Sequence, residues 1–138
     1  MAGSLTPAPV IDISSLRADP TGHDATSCVA TMHAACLETG FFVAVGHGLD
    51  REIAALFDGA RQFFDLPQAE KERTPRVARY GYIPHRPSAI DVSRASENVE
   101  YLDLGLHTEV ELPNVAGLEP AVHQYQQSAL AVAAMVLA

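Results

Sequence analysis

Residues 35–48 read Ala35-Cys36-Leu37-Glu38-Thr39-Gly40-Phe41-Phe42-Val43-Ala44-Val45-Gly46-His47-Gly48. Small residues and Leu37 end a helical pattern, and Gly40 supplies the left-handed residue on which helices commonly stop. Phe41 to Val45 is a continuous apolar run bounded by glycines, the pattern of a buried strand. Gly46-His47-Gly48 then turns the chain. The stretch is one compact helix-to-strand unit, and it sets how the flanking sequence is read.

Upstream, Val29, Met32 and Cys36 recur at helical spacing with Ala30, Ala34 and Ala35 between them, so a helix is predicted from about Asp24, with Cys36 on its apolar face. Ser14 to Gly22 reads as a loop, and Val10-Ile11-Asp12-Ile13, after Pro9, as a β-branched strand. Downstream, Asp50 is placed to cap a helix whose Ile53, Leu56, Phe57, Ala60, Phe63 and Phe64 share one face. Leu66-Pro67 breaks that helix, and Pro67 opens a short charged one through Glu70, Lys71 and Glu72. Thr74 to Ser96 reads as irregular, with a short strand at Tyr80-Gly81-Tyr82-Ile83. Glu100 to Leu106 alternates as a half-buried strand, and a helix from Glu119-Pro120 carries Val122, Tyr125, Ala129, Val132 and Val136 to the last residue. With no stop signal after Val136, that apolar helix end is expected to meet a partner.

Composition narrows the function classes. The 138 residues are 48% hydrophobic and 19% charged, ordinary for a globular chain. Seventeen acidic residues against nine basic ones give a net charge of −8, which disfavours nucleic acid. No apolar run has the length of a membrane span, and the N-terminus lacks a secretory pattern. Cys28 and Cys36, eight residues apart on one helix, stand ~12 Å apart along its axis, too far for a disulfide. Two free thiols point to a reducing, cytoplasmic setting.

Several short elements follow one another in an order that resembles the N-terminal region of the non-haem iron(II)/2-oxoglutarate-dependent oxygenases of the isopenicillin N synthase-like family. Pro9 to Ile13 is similar to the opening Pro-x-Ile-Asp strand. Ala35-Cys36 through Gly40-Phe41-Phe42 resembles Ala-Cys-x-x-x-Gly-Phe-Phe, and Val45-Gly46-His47-Gly48 resembles Val-x-Asn-His-Gly with Gly46 in place of asparagine. Phe63-Phe64-Asp65-Leu66-Pro67 with Lys71 is similar to Phe-Phe-x-Leu-Pro-x-x-x-Lys. Tyr80-Gly81-Tyr82 resembles the Gly-Tyr element, and Glu100 to Gly105 resembles Glu-x-x-Asp-x-Gly. Leu112-Pro113-Asn114 stands where the family has Asn-x-Trp-Pro, without the tryptophan.

The resemblance implies an α+β accessory region: a tail at 1–8, and at 9–138 helices plus a few strands that pack around a double-stranded β-helix (jelly-roll) barrel. That C-terminal barrel core is expected to be missing here and to come from the same chain or a partner. In the intact enzyme, Fe(II) and 2-oxoglutarate would support hydroxylation, desaturation or ring closure of a small molecule. A facial triad of two histidines and a carboxylate suits that chemistry. His107-Thr108-Glu109 is the one His-x-acid triplet. His123 follows it by only sixteen residues, and Arg86-Pro87-Ser88 and Arg94-Ala95-Ser96 precede rather than follow the histidines. Order and spacing both fail, so no catalytic residue and no metal ligand is assigned, and neither cofactor is expected to bind this chain alone.

His47 reads as a turn residue, and His23, His33 and His85 have no partners at ligand spacing. Cys36 reads as a small buried hydrophobe and the Phe41-Phe42 and Phe63-Phe64 pairs as core. Arg73, Arg76, Arg79 and Arg86 interleave with Tyr80 and Tyr82; the plain reading is a solvated loop paired to Glu70, Glu72 or Asp91. The resemblance places this stretch near the mouth of an active site, where a guanidinium suits a substrate carboxylate. Arg79 and Tyr82 are therefore the candidate substrate-binding residues. The rival reading is a free-standing, non-catalytic interaction module that docks through its apolar C-terminal helix.

Overall fold

The computed structural model describes residues 7–84, 99–106 and 111–138. They form two compact units, one of residues 1–51 with 127–138 and one of residues 52–126.

In the first unit, β1 (Val10–Asp12) pairs in parallel with β2 (Val43–Val45), in the register Val10–Val43, Ile11–Ala44, Asp12–Val45. Val43 N donates to Pro9 O and Ile13 N to Val45 O, extending the ladder at both ends. Between the strands run α1 (Ser14–Ala18) and α2 (His23–Glu38). The predicted loop at 14–22 is thus partly helical. Asp12 Oδ1 accepts from Ser14 N at 2.9 Å, turning the chain out of the strand, and Leu16 is buried on the helix that follows.

The buried face of α2 is Ala25, Cys28, Met32 and Ala35, at steps of three and four. Val29 is half exposed and Cys36 is exposed, so the helix is rotated from the predicted face, and Cys36 is not the buried thiol. Cys28 takes that place, its Sγ 3.5 Å from Asp12 O. The core of this unit joins that face to Ile11, Ile13 and Leu16, with Phe42, Ala44 and, from α5 (Leu118–Leu137), Val132, Met135 and Val136 packed against it.

The Phe41–Val45 run is not buried as predicted. Phe41 is exposed, and β2 alternates, with only Ala44 turned toward the core. An apolar run marks a buried strand only when both faces are covered, and here α2 covers one.

The second unit is built on α3 (Asp50–Phe64), α4 (Gln68–Lys71) and the antiparallel pair β3 (Gly81–Ile83) and β4 (Tyr101–Asp103), with Tyr82 opposite Leu102. Its core is Phe63, Tyr82, Leu118 and Val122, with Leu56, Phe64, Leu66, Leu102 and Leu104 against them. Phe63 meets Phe64 and Tyr82 edge-on at centroid distances of 5.2 and 5.5 Å, the favoured geometry for aromatic quadrupoles. Phe57, predicted on the apolar face of α3, is 64% exposed. Tyr101 to Leu104 follows the predicted alternation, the leucines partly buried and Tyr101 and Asp103 outward.

Gly81 has φ +105°, and a Cβ there would stand 2.3 Å from Pro75 O, so the start of β3 requires glycine.

Candidate functional site

Arg79 and Tyr82, three residues apart, are placed differently. Arg79 is exposed; its guanidinium donates to Tyr80 Oη at 3.0 Å and lies 5.1 Å from that ring's centroid. The hydrogen bond to Tyr80 raises its pKa above the already high value of an arginine. Arg73 is paired to Glu70 at 2.6 Å on the surface, as the plain reading of this stretch expects. Arg86, Arg94 and Asp91 lie outside the described residues, as do His85, His107, Thr108 and Glu109.

Tyr82 is turned inward, with 2% of its surface exposed. Its hydroxyl donates to Glu100 Oε2 and stands 3.2 Å from Gln68 Oε1. Lys71, predicted in the short charged helix after Pro67, is buried beside it. Its ammonium reaches both Glu100 oxygens at 2.9 Å and Phe64 O at 3.3 Å, so three protons have three acceptors. The bond to Glu100 raises the pKa of Lys71, and burial raises that of Tyr82. The group therefore holds a charged lysine and a neutral phenol. It ties α4 to the segment leading into β4, twenty-nine residues away. The sequence showed the motifs that carry Lys71 and Glu100 but not their pairing.

Beside this network lies an apolar cleft of about 390 Å³, lined by Leu56, Phe57, Phe64, Leu102, Leu104 and Tyr125 among others. Its one clearly polar edge is Gln126, so it offers packing rather than acid–base chemistry.

In the first unit, the Gly46-His47-Gly48 turn is held by its neighbours. Arg17 Nη1 donates to Gly46 O at 3.2 Å, and Leu49 N donates to His47 Nδ1 at 3.0 Å. His47 is therefore a turn residue whose Nδ1 lone pair is engaged. Gly46 has φ +68°, with the Asp12 carboxylate where a Cβ would project.

Among the described residues, no group of three or more His, Cys, Asp or Glu side chains is placed to hold a metal ion. His123 stands alone and exposed on α5. No helix among them is long and apolar enough to cross a membrane.

A family model described as "non-haem dioxygenase in morphine synthesis N-terminal" matches residues 8–126, and the chain belongs to this family. Among its relatives, the 2-oxoglutarate-dependent dioxygenase citB of Monascus ruber is 31% identical over 109 residues, 78% of this chain and 33% of that protein. Gibberellin 20 oxidase 2 of Oryza sativa subsp. indica is 39% identical over 111 residues, 78% of this chain and 28% of that protein. The homoarginine-6-hydroxylase 2-ODD-C23.1 of Arabidopsis thaliana is 32% identical over 127 residues, 76% and 38%. The chain spans about a third of the length of the curated relatives it matches.

Proposed function

We propose that this chain is the N-terminal, non-catalytic portion of an iron(II)/2-oxoglutarate-dependent oxidoreductase that hydroxylates, desaturates or closes a ring on a small molecule. The observation that carries the reading is the family match over residues 8–126 in a chain whose matched part covers about a third of an oxygenase relative. Residues 9–138 are then the accessory domain after a short tail. The jelly-roll barrel, from the same chain or a partner, supplies the iron and 2-oxoglutarate sites. The assembled enzyme works in the cytoplasm.

Within it, Arg79 makes the direct contact to a substrate carboxylate. Its exposed guanidinium, braced by Tyr80, supports that role. Tyr82 serves the same site from below, anchoring β3 through Glu100 and Gln68.

The test is succinate formation from 2-oxoglutarate with iron(II). The assembled enzyme should turn over and the isolated chain should not. Stoichiometric iron binding with 2-oxoglutarate consumption by the isolated chain would overturn the reading. An Arg79→Ala assembled enzyme should show a raised KM for an acidic substrate with kcat little changed, the pattern of lost ground-state binding.

The second reading, an interaction module docking through its last helix, is favoured by Leu130 and Leu137 of α5, 44% and 85% exposed. Size-exclusion and solution scattering separate the two. A compact, soluble monomer of the isolated chain supports a module, and an aggregated or molten one a severed half.

A further inference from the structure

The outer face of the β3–β4 pair carries two opposite charges that do not meet. In the antiparallel register Asp103 stands directly across from Gly81, so the cross-strand position beside its carboxylate is bare. Tyr101, two residues earlier on β4, points the same way and is 50% exposed. Arg79 lies two residues before Gly81, exposed, with its guanidinium turned over the Tyr80 ring. Asp103 is near enough for its charge to add to the raised pKa of Arg79. Among the described residues the two nevertheless form no ion pair, and the Asp103 carboxylate accepts no hydrogen bond. An open recess of about 540 Å³ runs beside it, walled by Phe64, Ile83 and Tyr101. Glu100 also borders this recess, but Lys71 and Tyr82 hold its carboxylate, so of the two acids on the wall Asp103 is the one left to face a ligand.

We propose that Arg79 and Asp103 form a subsite for a zwitterionic head, and that the substrate is an α-amino acid or a compound ending in one. The carboxylate sits on the Arg79 fork, the ammonium on Asp103 and the apolar body in the recess. This rests on the substrate contact given to Arg79 under Proposed function. A plain carboxylate on Arg79 would be repelled by Asp103 beside it, whereas an ammonium on the α-carbon turns that repulsion into attraction. An exposed carboxylate without a partner contributes little to folding, so no structural duty accounts for Asp103.

Calorimetric titration of the assembled enzyme with three probes tests this: norleucine, which has both charges; hexanoate, which lacks the ammonium; and pentylamine, which lacks the carboxylate. Norleucine should bind at least about tenfold more tightly than either, the ratio expected for one added charge-assisted hydrogen bond. Asp103→Asn should weaken norleucine by about tenfold and leave hexanoate no weaker. Arg79→Ala should weaken norleucine and hexanoate alike and spare pentylamine. Both side chains are exposed, so neither substitution removes packing. Norleucine binding no better than hexanoate, no norleucine binding at millimolar concentration, or an Asp103→Asn loss shared equally by hexanoate would overturn the proposal. Succinate formation on the same samples keeps the two readings apart. Turnover without amino-acid preference removes the zwitterion subsite only. Selective norleucine binding, sensitive to both substitutions, in a sample that forms no succinate removes the oxygenase assignment only.

Discussion

Single residues carry several of the constraints in this chain. Gly81 combines φ +105° with a backbone carbonyl at 2.3 Å from the position of a Cβ. A carbonyl cannot rotate away as a side chain can, so Gly81→Ala should cost at least about 2 kcal/mol in urea unfolding, more than left-handed strain alone. At Gly46 the obstructing atom is the end of the Asp12 side chain, which can move only by giving up its bond from Ser14 N, so Gly46→Ala should cost the backbone strain of about 1–2 kcal/mol plus that hydrogen bond. Lys71 gives a different kind of prediction. Removing the cation of a largely buried pair leaves the carboxylate's charge without its counter-ion, and Lys71→Met should lower stability by about 2 kcal/mol, less than for a fully buried pair because Glu100 keeps 29% exposure and the Tyr82 hydroxyl. Replacing both, Lys71→Met with Glu100→Leu, should recover at least half of that loss in the same denaturation experiment.

Elements were legible to the extent that their signals are local. The strand after Pro9, the glycine stop at Gly40, the break at Leu66-Pro67 and the final helix all follow from neighbours in sequence, and all stand in the structure. What periodicity left open was rotation. Val29, Met32 and Cys36 fit a helical stripe as well as Ala25, Cys28, Met32 and Ala35 do, and the strand α2 packs against decides between them. The consequence is measurable: in the native chain one thiol, Cys36, should react promptly with a disulfide reagent, and the second, Cys28, only after denaturant is added. The candidate site shows the same limit. Arg79 and Tyr82 are near neighbours, but Arg79 takes its partner one residue away in Tyr80, whereas Tyr82 finds Glu100 eighteen residues on. The motifs around Lys71 and Glu100 were each visible in the sequence, and only folding could reveal that they are partners in space.

For the whole molecule, the ionisable groups set a pH window for stability. Lys71 and Tyr82 both have pKa values raised on folding, so the folded state holds their protons more tightly than the unfolded chain does. Their stabilisation is complete below the ordinary lysine and tyrosine values near 10 and is lost as pH rises through the folded values. Asp12 and Asp19 act in the opposite sense. Hydrogen bonds from Ser14 and Thr21 hold their carboxyls below the usual range, giving stability that is present above about pH 4 and lost as pH falls through the folded values. Thermal midpoints measured across pH should therefore be flattest between about 5 and 9 and fall off on both sides, with Lys71→Met blunting the alkaline fall.

The burial of Lys71 also changes how a polypeptide of this sequence can be handled. Coupling reagents that seek primary amines ordinarily scatter over many lysines, but here the single ε-amine is enclosed, bonded to Glu100 and kept protonated, hence poorly nucleophilic. Below the alkaline transition, an activated ester should leave Lys71 unmodified, and denaturant should open it to the reagent.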